Sequence, residues 1–254
     1  MCIAPTVYNF ICVWAYLSLT RMLRKYYDAD VDWSRIADKT VAVIGYGSQG
    51  RAQAANLRDS GLTVIVGVRP GRSFEAASLD GFTTMPVADA VRKADVLAML
   101  VPDESAAEIF RRDMLPWLHD GQTIVFAHGF NIHYGQIVPP PNVDVVMVAP
   151  KGVGPQVRRL FLEDSGVASL IAVHQDVTGS AKQMALAFAK GIGSARSVIM
   201  ESTFADETET DLFGEQTVIC GGVTHLIKAA YDTLVAAGYE PEMAYYECMH
   251  ELKL

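Results

Sequence analysis

The chain has 254 residues, half of them apolar, and a formal net charge of −8 at pH 7. That length exceeds one average domain, and that apolar share can bury a sizeable core. The acidic balance argues against a nucleic-acid partner, whose phosphates call for clustered Lys and Arg.

Residues 1–23 form an atypical apolar extension. Cys2 to Leu19 is largely apolar and aromatic, with Arg21, Arg24 and Lys25 after it. The run falls short of the roughly 20 apolar residues an anchor needs and is interrupted by Pro5 and Asn9. A cleavable signal places its positive charges before the apolar stretch, not after it. A start-site extension or poorly ordered tail is therefore expected, with a membrane anchor as the minor alternative. The cysteines (Cys2, Cys12, Cys220, Cys248) make no CxxC pair. Neither a zinc site nor a disulfide framework is indicated, and a reducing, cytoplasmic setting is expected.

From Thr40 short β-branched runs alternate with helical or loop sequence. Thr40–Ile44, Thr63–Val68, Val96–Val101, Thr123–Ala127, Asp144–Ala149 and Ala168–Val173 read as strands buried on both faces. Gln49–Arg58 reads as a helix stopped by Gly61. The pattern predicts an α/β domain over residues 24–203, a Rossmann-type doubly wound parallel sheet. After a last extended piece at Ser197–Met200 no strand pattern recurs. Residues 204–254 are expected to be all-helical, with breaks at Gly221–Gly222 and Gly238 and a helix opened by Pro241.

Gly45-Tyr46-Gly47-Ser48-Gln49-Gly50 fits GxGxxG between a predicted strand and a predicted helix, the context a dinucleotide site requires. Gly45 allows the tight turn, Gly47 lets backbone approach the pyrophosphate, and Gly50 lets helix and strand pack closely. An NAD site usually ends its second strand with Asp or Glu to hold the ribose 2′-hydroxyl. Here Val68-Arg69-Pro70-Gly71-Arg72-Ser73 follows, with no acid before Glu75. Arg69, Arg72 and Ser73 could neutralise and bond a 2′-phosphate, so NADPH is expected; the alternative is solvated surface arginines.

Ligands sit beyond the carboxyl ends of strands in such sheets. Pro102-Asp103-Glu104, Ala127-His128-Gly129-Phe130 and Ala149-Pro150-Lys151-Gly152 fall there. Pro102, Asp103 and Gly129 are candidate cofactor contacts. His128 and Lys151 are candidate catalytic groups that could exchange protons with a polar substrate, although either could be structural or superficial. Asp211 and Glu215 are four apart, as are Glu247 and Glu251, so each pair shares a helix face. Such oxygen-only ligand pairs suit two Mg2+ ions; plain solvated faces are the alternative.

These motifs together resemble ketol-acid reductoisomerase, in its shorter bacterial-type form. The resemblance rests on Gly45–Gly50, Phe126–Ile132, Ala149–Gly152, Glu247–Leu252 and above all Asp206–Gln216, and extends from about Tyr26 to Leu254. It implies an enzyme that shifts an alkyl group in 2-acetolactate or 2-aceto-2-hydroxybutyrate and then reduces the ketone with NADPH, in branched-chain amino-acid synthesis. It implies that Asp211 and Glu215 bind magnesium, with Glu215 bridging. Glu247 and Glu251 would come from the partner subunit of a homodimer or larger assembly. His128 and Lys151 match active-site positions of the family. The chain departs from the pattern in its N-terminal segment, in Gln53 where many members have His, and in stopping after Leu254, short of the family's full helical, knotted domain. A truncated, non-catalytic NADPH-binding fragment is the competing expectation.

Overall fold

The computed structural model describes residues 23–253, so the expected extension lies outside the described residues except for Leu23. The chain divides into one compact unit ending at Phe204 and a second beginning at Ala205.

The first unit is built on nine strands: β1 (Lys25–Tyr26), β2 (Thr40–Ile44), β3 (Thr63–Gly67), β4 (Thr83–Met85), β5 (Val96–Met99), β6 (Thr123–Phe126), β7 (Asp144–Pro150), β8 (Ser169–Gln175) and β9 (Ile199–Glu201). They form one sheet in the order β1-β9-β8-β7-β6-β5-β2-β3-β4. Strands β2 to β7 are parallel, and β2 lies between β3 and β5. The chain therefore winds outward from β2 in both directions, leaving a topological switch point beside it.

Alternation along the strands feeds two cores. Val41, Val43, Val96, Val125 and Val146 point to one face, where Leu57 and Phe188 cover them. Ala42, Ile44, Leu97, Ile124 and Met147 point to the other, against Val91, Phe110 and Met114. Side chains of period two that are apolar on both faces explain why these strands read as unbroken hydrophobic runs.

The doubly wound parallel arrangement expected from the sequence holds from β2 to β7, and the sheet becomes mixed beyond β7. Strand β8 runs antiparallel to β7, with Met147 opposite Ala172 and Pro150 opposite Ser169, and β1 runs antiparallel to β9. The β7–β8 connection explains the first reversal. Its helix, Gly154–Leu162, has nine residues. At about 1.5 Å per residue it is too short to return the chain along a seven-residue strand. The chain turns back at Asp164, which takes φ 52°, and Lys151 N–H donates to the carbonyl of Ala168. Both ends of the connection thus sit at the carboxyl end of β7, and β8 must run back. Strands β1 and β4 were not foreseen; two or three residues are too few to show periodicity.

The helices of the first unit are α1 (Ser48–Asp59), α2 (Arg72–Leu79), α3 (Val87–Lys93), α4 (Asp103–Ile109), α5 (Phe130–His133), α6 (Gly154–Leu162) and α7 (Ala181–Gly191). Helix α4 continues into a π-helical turn at Phe110–Met114.

In the second unit α8 (Phe204–Gly214) runs into a π-helical turn, Glu215–Ile219, and then α9 (Gly222–Ala236). Gly238, at φ 92°, ends α9 in the left-handed region that favours glycine. Pro241 opens α10 (Pro241–Tyr245), which widens into a third π-helical turn, Tyr246–His250. Among the described residues no helix is long and apolar enough to cross a membrane.

Candidate functional site

Beyond the carboxyl ends of β2, β3, β5 and β6 the first unit opens into a cleft of about 830 Å3. Its floor is the glycine-rich turn. Gly45 takes φ 100°, and a Cβ there would stand 2.6 Å from the carbonyl oxygen of Leu100. A Cβ on Gly50 would meet the carbonyl oxygen of Gly45 at 2.3 Å, so helix and turn can be this close only with glycine. Nothing stands within 4 Å of where a Cβ on Gly47 would be, which leaves that backbone open to a ligand. Helix α1 starts at Ser48 with no side-chain cap. Its first N–H groups are donors of the kind that hold a pyrophosphate. The cradle fits a dinucleotide.

Tyr46, Ser48 and Gln49 also line the cleft. The Tyr46 ring packs edge-on to Phe82 at 5.8 Å, and its hydroxyl donates to Asp80 at 2.7 Å. Burial and that bond push the phenol well above its ordinary pKa, so it stays a donor. Gln49 spans to another element: its amide Nε2 donates to the carbonyl of Gly152 at 2.8 Å, while Gln53 donates to its Oε1 at 3.0 Å. Gly154 lies against the same turn, since a Cβ there would come within 2.1 Å of the Ser48 carbonyl oxygen. The loop carrying Lys151 is therefore pinned to the phosphate cradle, a link no spacing rule could reveal. Gln53 is fully buried and its Oε1 finds no partner, a cost tolerated here for the orientation of Gln49.

Arg69, Arg72 and Ser73 form one end of the cleft. Arg72 and Ser73 open α2, which Gly71 precedes at φ 134°, so a second helix N-terminus adds to the two guanidinium groups there. Pro102, Asp103 and His128 line the wall from β5 and β6. Asn131, which the sequence reading did not assign, joins those two turns: its Nδ2 donates to the Asp103 carboxylate at 2.8 Å and approaches the Asp103 carbonyl at 3.3 Å. His128 stacks on Phe130 with centroids 6.4 Å apart. Gly50, Gly129 and Lys151 are not among the lining residues. Gly50 packs helix against turn, Gly129 precedes α5, and Lys151 is exposed one residue past Pro150, which does line the cleft.

In the second unit Asp211 lies on α8 and Glu215 begins the π-helical turn that follows it. Glu247 lies in the later π-helical turn, and Glu251 starts the 3-10 turn after it. Glu215, Glu247 and Glu251 are exposed. Among the described residues the four carboxylates do not gather into one group of ligand atoms within a single chain.

Two family models match this chain. One, acetohydroxy acid isomeroreductase, NADPH-binding domain, covers residues 35–198; the other, ketol-acid reductoisomerase, C-terminal domain, covers residues 204–254. The chain is similar to the solved structure of an NADH-preferring ketol-acid reductoisomerase from an uncultured archean, at 46% identity and a TM-score of 0.88. That match covers 91% of this chain and 72% of the other. A semialdehyde dehydrogenase NAD-binding protein from Cupriavidus necator, solved with calcium and NAD, is similar at 19% identity and a TM-score of 0.70, covering 85% of this chain and 81% of that one. A putative oxidoreductase from Jannaschia sp. CCS1 is similar at 15% identity and a TM-score of 0.69, with the same coverages. At those identities the likeness concerns the fold alone.

Proposed function

The chain belongs to the ketol-acid reductoisomerase family, and from that premise we propose that it converts 2-acetolactate or 2-aceto-2-hydroxybutyrate to 2,3-dihydroxy acids, using NADPH and two magnesium ions. The place of this reaction is branched-chain amino-acid synthesis. The observation that carries the cofactor choice is the cleft end built from Arg69, Arg72, Ser73 and the start of α2. Two fixed positive charges and a helix N-terminus favour a 2′-phosphate over a hydroxyl. The NADH preference in the name of the archaeal relative belongs to that protein.

When bound, the nucleotide supplies a hydride and the magnesium ions supply Lewis acidity toward vicinal substrate oxygens. The chain's own residues do the rest. The N–H groups at the start of α1 hold the pyrophosphate. Gln49 holds the Lys151 loop beside it. His128, on the wall beyond β6, and Lys151 exchange or donate protons to the polar substrate. Asp211, Glu215, Glu247 and Glu251 are the metal ligands. Their donor chemistry fits: all are hard carboxylate oxygens, and among the described residues Glu215, Glu247 and Glu251 make no ion pair that would satisfy their charge. The family resemblance implies that Glu247 and Glu251 would stand opposite the Asp211–Glu215 pair of a second copy in a homodimer, and their failure to gather with that pair in one chain is consistent with this.

The test is magnesium-dependent NADPH oxidation with 2-acetolactate, comparing the purified chain with Asp211→Ala. Turnover that falls about a thousandfold in the variant, with NADPH still bound, is expected for a lost metal ligand. Equal turnover in both proteins would remove Asp211 from the mechanism. NADPH binding without turnover in either would favour a non-catalytic nucleotide-binding member of the family.

A further inference from the structure

Among the described residues the helices widen into π-helical turns at three places, Phe110–Met114, Glu215–Ile219 and Tyr246–His250. Such turns give up regular hydrogen bonding and re-aim side chains, and they recur at functional sites. Two of the three carry carboxylates assigned above to metal. The third carries Asp113, and Asp113 lines the nucleotide cleft together with Arg69, Arg72 and Ser73. No reading of the loop after β3 could find it, because it comes from the far end of the helix after β5.

The carboxylate is firmly placed. Phe110 and Met114, at the two ends of the turn, are buried at 1% and 0% exposure. Arg112 grips Asp113 with two bonds, from Nε at 2.9 Å and Nη2 at 2.7 Å, and gives Nη1 to Glu108 at 2.7 Å. One guanidinium thus serves two carboxylates, and Asp113 is the one of the two that lines the cleft. The hydrogen bonds from Arg112, together with the charges of Arg112 and Arg69, hold the Asp113 carboxyl below the usual carboxylate range against the opposing effect of burial. It is ionised throughout the neutral range.

We propose that Asp113 is a specificity-determining residue that narrows the preference for NADPH over NADH, by drawing on the positive charge of Arg69 that a 2′-phosphate would use. The inference rests on the nucleotide reading of the cleft. A 2′-phosphate carries between one and two negative charges near neutral pH and meets Asp113 as a competitor. The 2′-hydroxyl of NADH is uncharged and can donate to a carboxylate, so it pays no such cost. The arginines of the β3–α2 loop and the acid of the π-helical turn therefore pull the choice of cofactor in opposite directions.

The experiment is equilibrium binding of NADPH and NADH to the full chain, read by nucleotide fluorescence. The proteins are the parent, Asp113→Asn, Asp113→Glu, Arg69→Gln and the Asp113→Asn/Arg69→Gln double variant. Asp113→Asn should tighten NADPH about fivefold, the size expected for one partly screened charge, and move NADH by less than about twofold. Asp113→Glu keeps the charge and should keep the parent's ratio of affinities. In the Arg69→Gln background the gain from Asp113→Asn should shrink below about twofold, as coupled residues require. An unchanged ratio in Asp113→Asn, the same change in Asp113→Glu, or an undiminished gain without Arg69 overturns the proposal. Failure of the parent to bind either nucleotide overturns the cofactor reading itself, and this inference with it.

Discussion

The two units of this chain bury their apolar residues very differently. In the sheet unit Ile44, Met147 and Phe188 are fully buried, and both faces of the sheet are covered by helices of the same unit. In the helical unit no residue of the 15-residue helix α9 is buried, and Leu226, Phe213 and Ile219 stand at 71%, 68% and 67% exposure. A sheet wound in both directions closes its own core from local βα units. A few helices in succession offer apolar faces that only further helices can cover. The nucleotide-binding domain is accordingly a unit that holds itself together, and the carboxylates proposed as metal ligands lie in one whose apolar surface is open in a single chain.

The sharpest way to break this contrast is a pair of truncations. Phe188→Ala should cost about 3–5 kcal/mol in urea unfolding, the usual range for a large buried aromatic residue. Leu226→Ala should cost under about 0.5 kcal/mol in the same transition, because its side chain loses little burial. It should instead weaken self-association measured by sedimentation. Equal costs in urea would mean that α9 is packed within the monomer after all.

A smaller effect sharpens the sheet unit's role. Arg72→Gln should raise the Kd for NADPH about tenfold, as loss of a charge-assisted bond does, and leave NADH within about twofold. Equal losses for both nucleotides would place Arg72 away from the 2′-position.

The smallest effect lies at the edge of the sheet. Lys182 donates to both oxygens of Glu201 at 2.8 and 2.7 Å, and the Tyr26 hydroxyl donates to Glu201 at 2.6 Å. Burial raises the Glu201 carboxyl, but these bonds outweigh it and bring the pKa below its ordinary 4.5. Burial lowers the Lys182 ammonium, and the same partners bring it above its ordinary 10.5. The Glu201 contribution is present above the ordinary carboxylate value and is lost as pH falls through the depressed one. The Lys182 contribution is present below its ordinary value and is lost as pH rises through the raised one. Thermal melts of the parent and Lys182→Met should differ by less than about 1 kcal/mol at neutral pH, since both side chains are about a third exposed. The difference should vanish at acid pH. A difference that persists there would be packing of the lysine stem rather than charge.

Much of this was legible in the amino-acid order because it follows from short-range rules. Residues 40–44 alternate between two apolar faces whatever surrounds them, and Gly45, Gly47 and Gly50 mark a turn whose backbone must come close to a ligand. The arginine loop, the carboxylate pairs and the glycine breaks at 221–222 and 238 are likewise local patterns. Distance in the chain hid the rest. The reversal of β8 depends on where a nine-residue helix can deliver the chain. The Gln49–Gly152 bridge joins residues 103 apart in sequence, and the Asn131–Asp103 clamp joins residues 28 apart. Asp113 lines the cleft from a π-helical turn far along the chain from the loop after β3. Sequence by itself determined the longer elements, the family and the chemistry available, since propensity, periodicity and donor type act over a few residues. Tertiary structure alone decided which distant groups share a wall, because that depends on how the strands order themselves and how far each connection can reach.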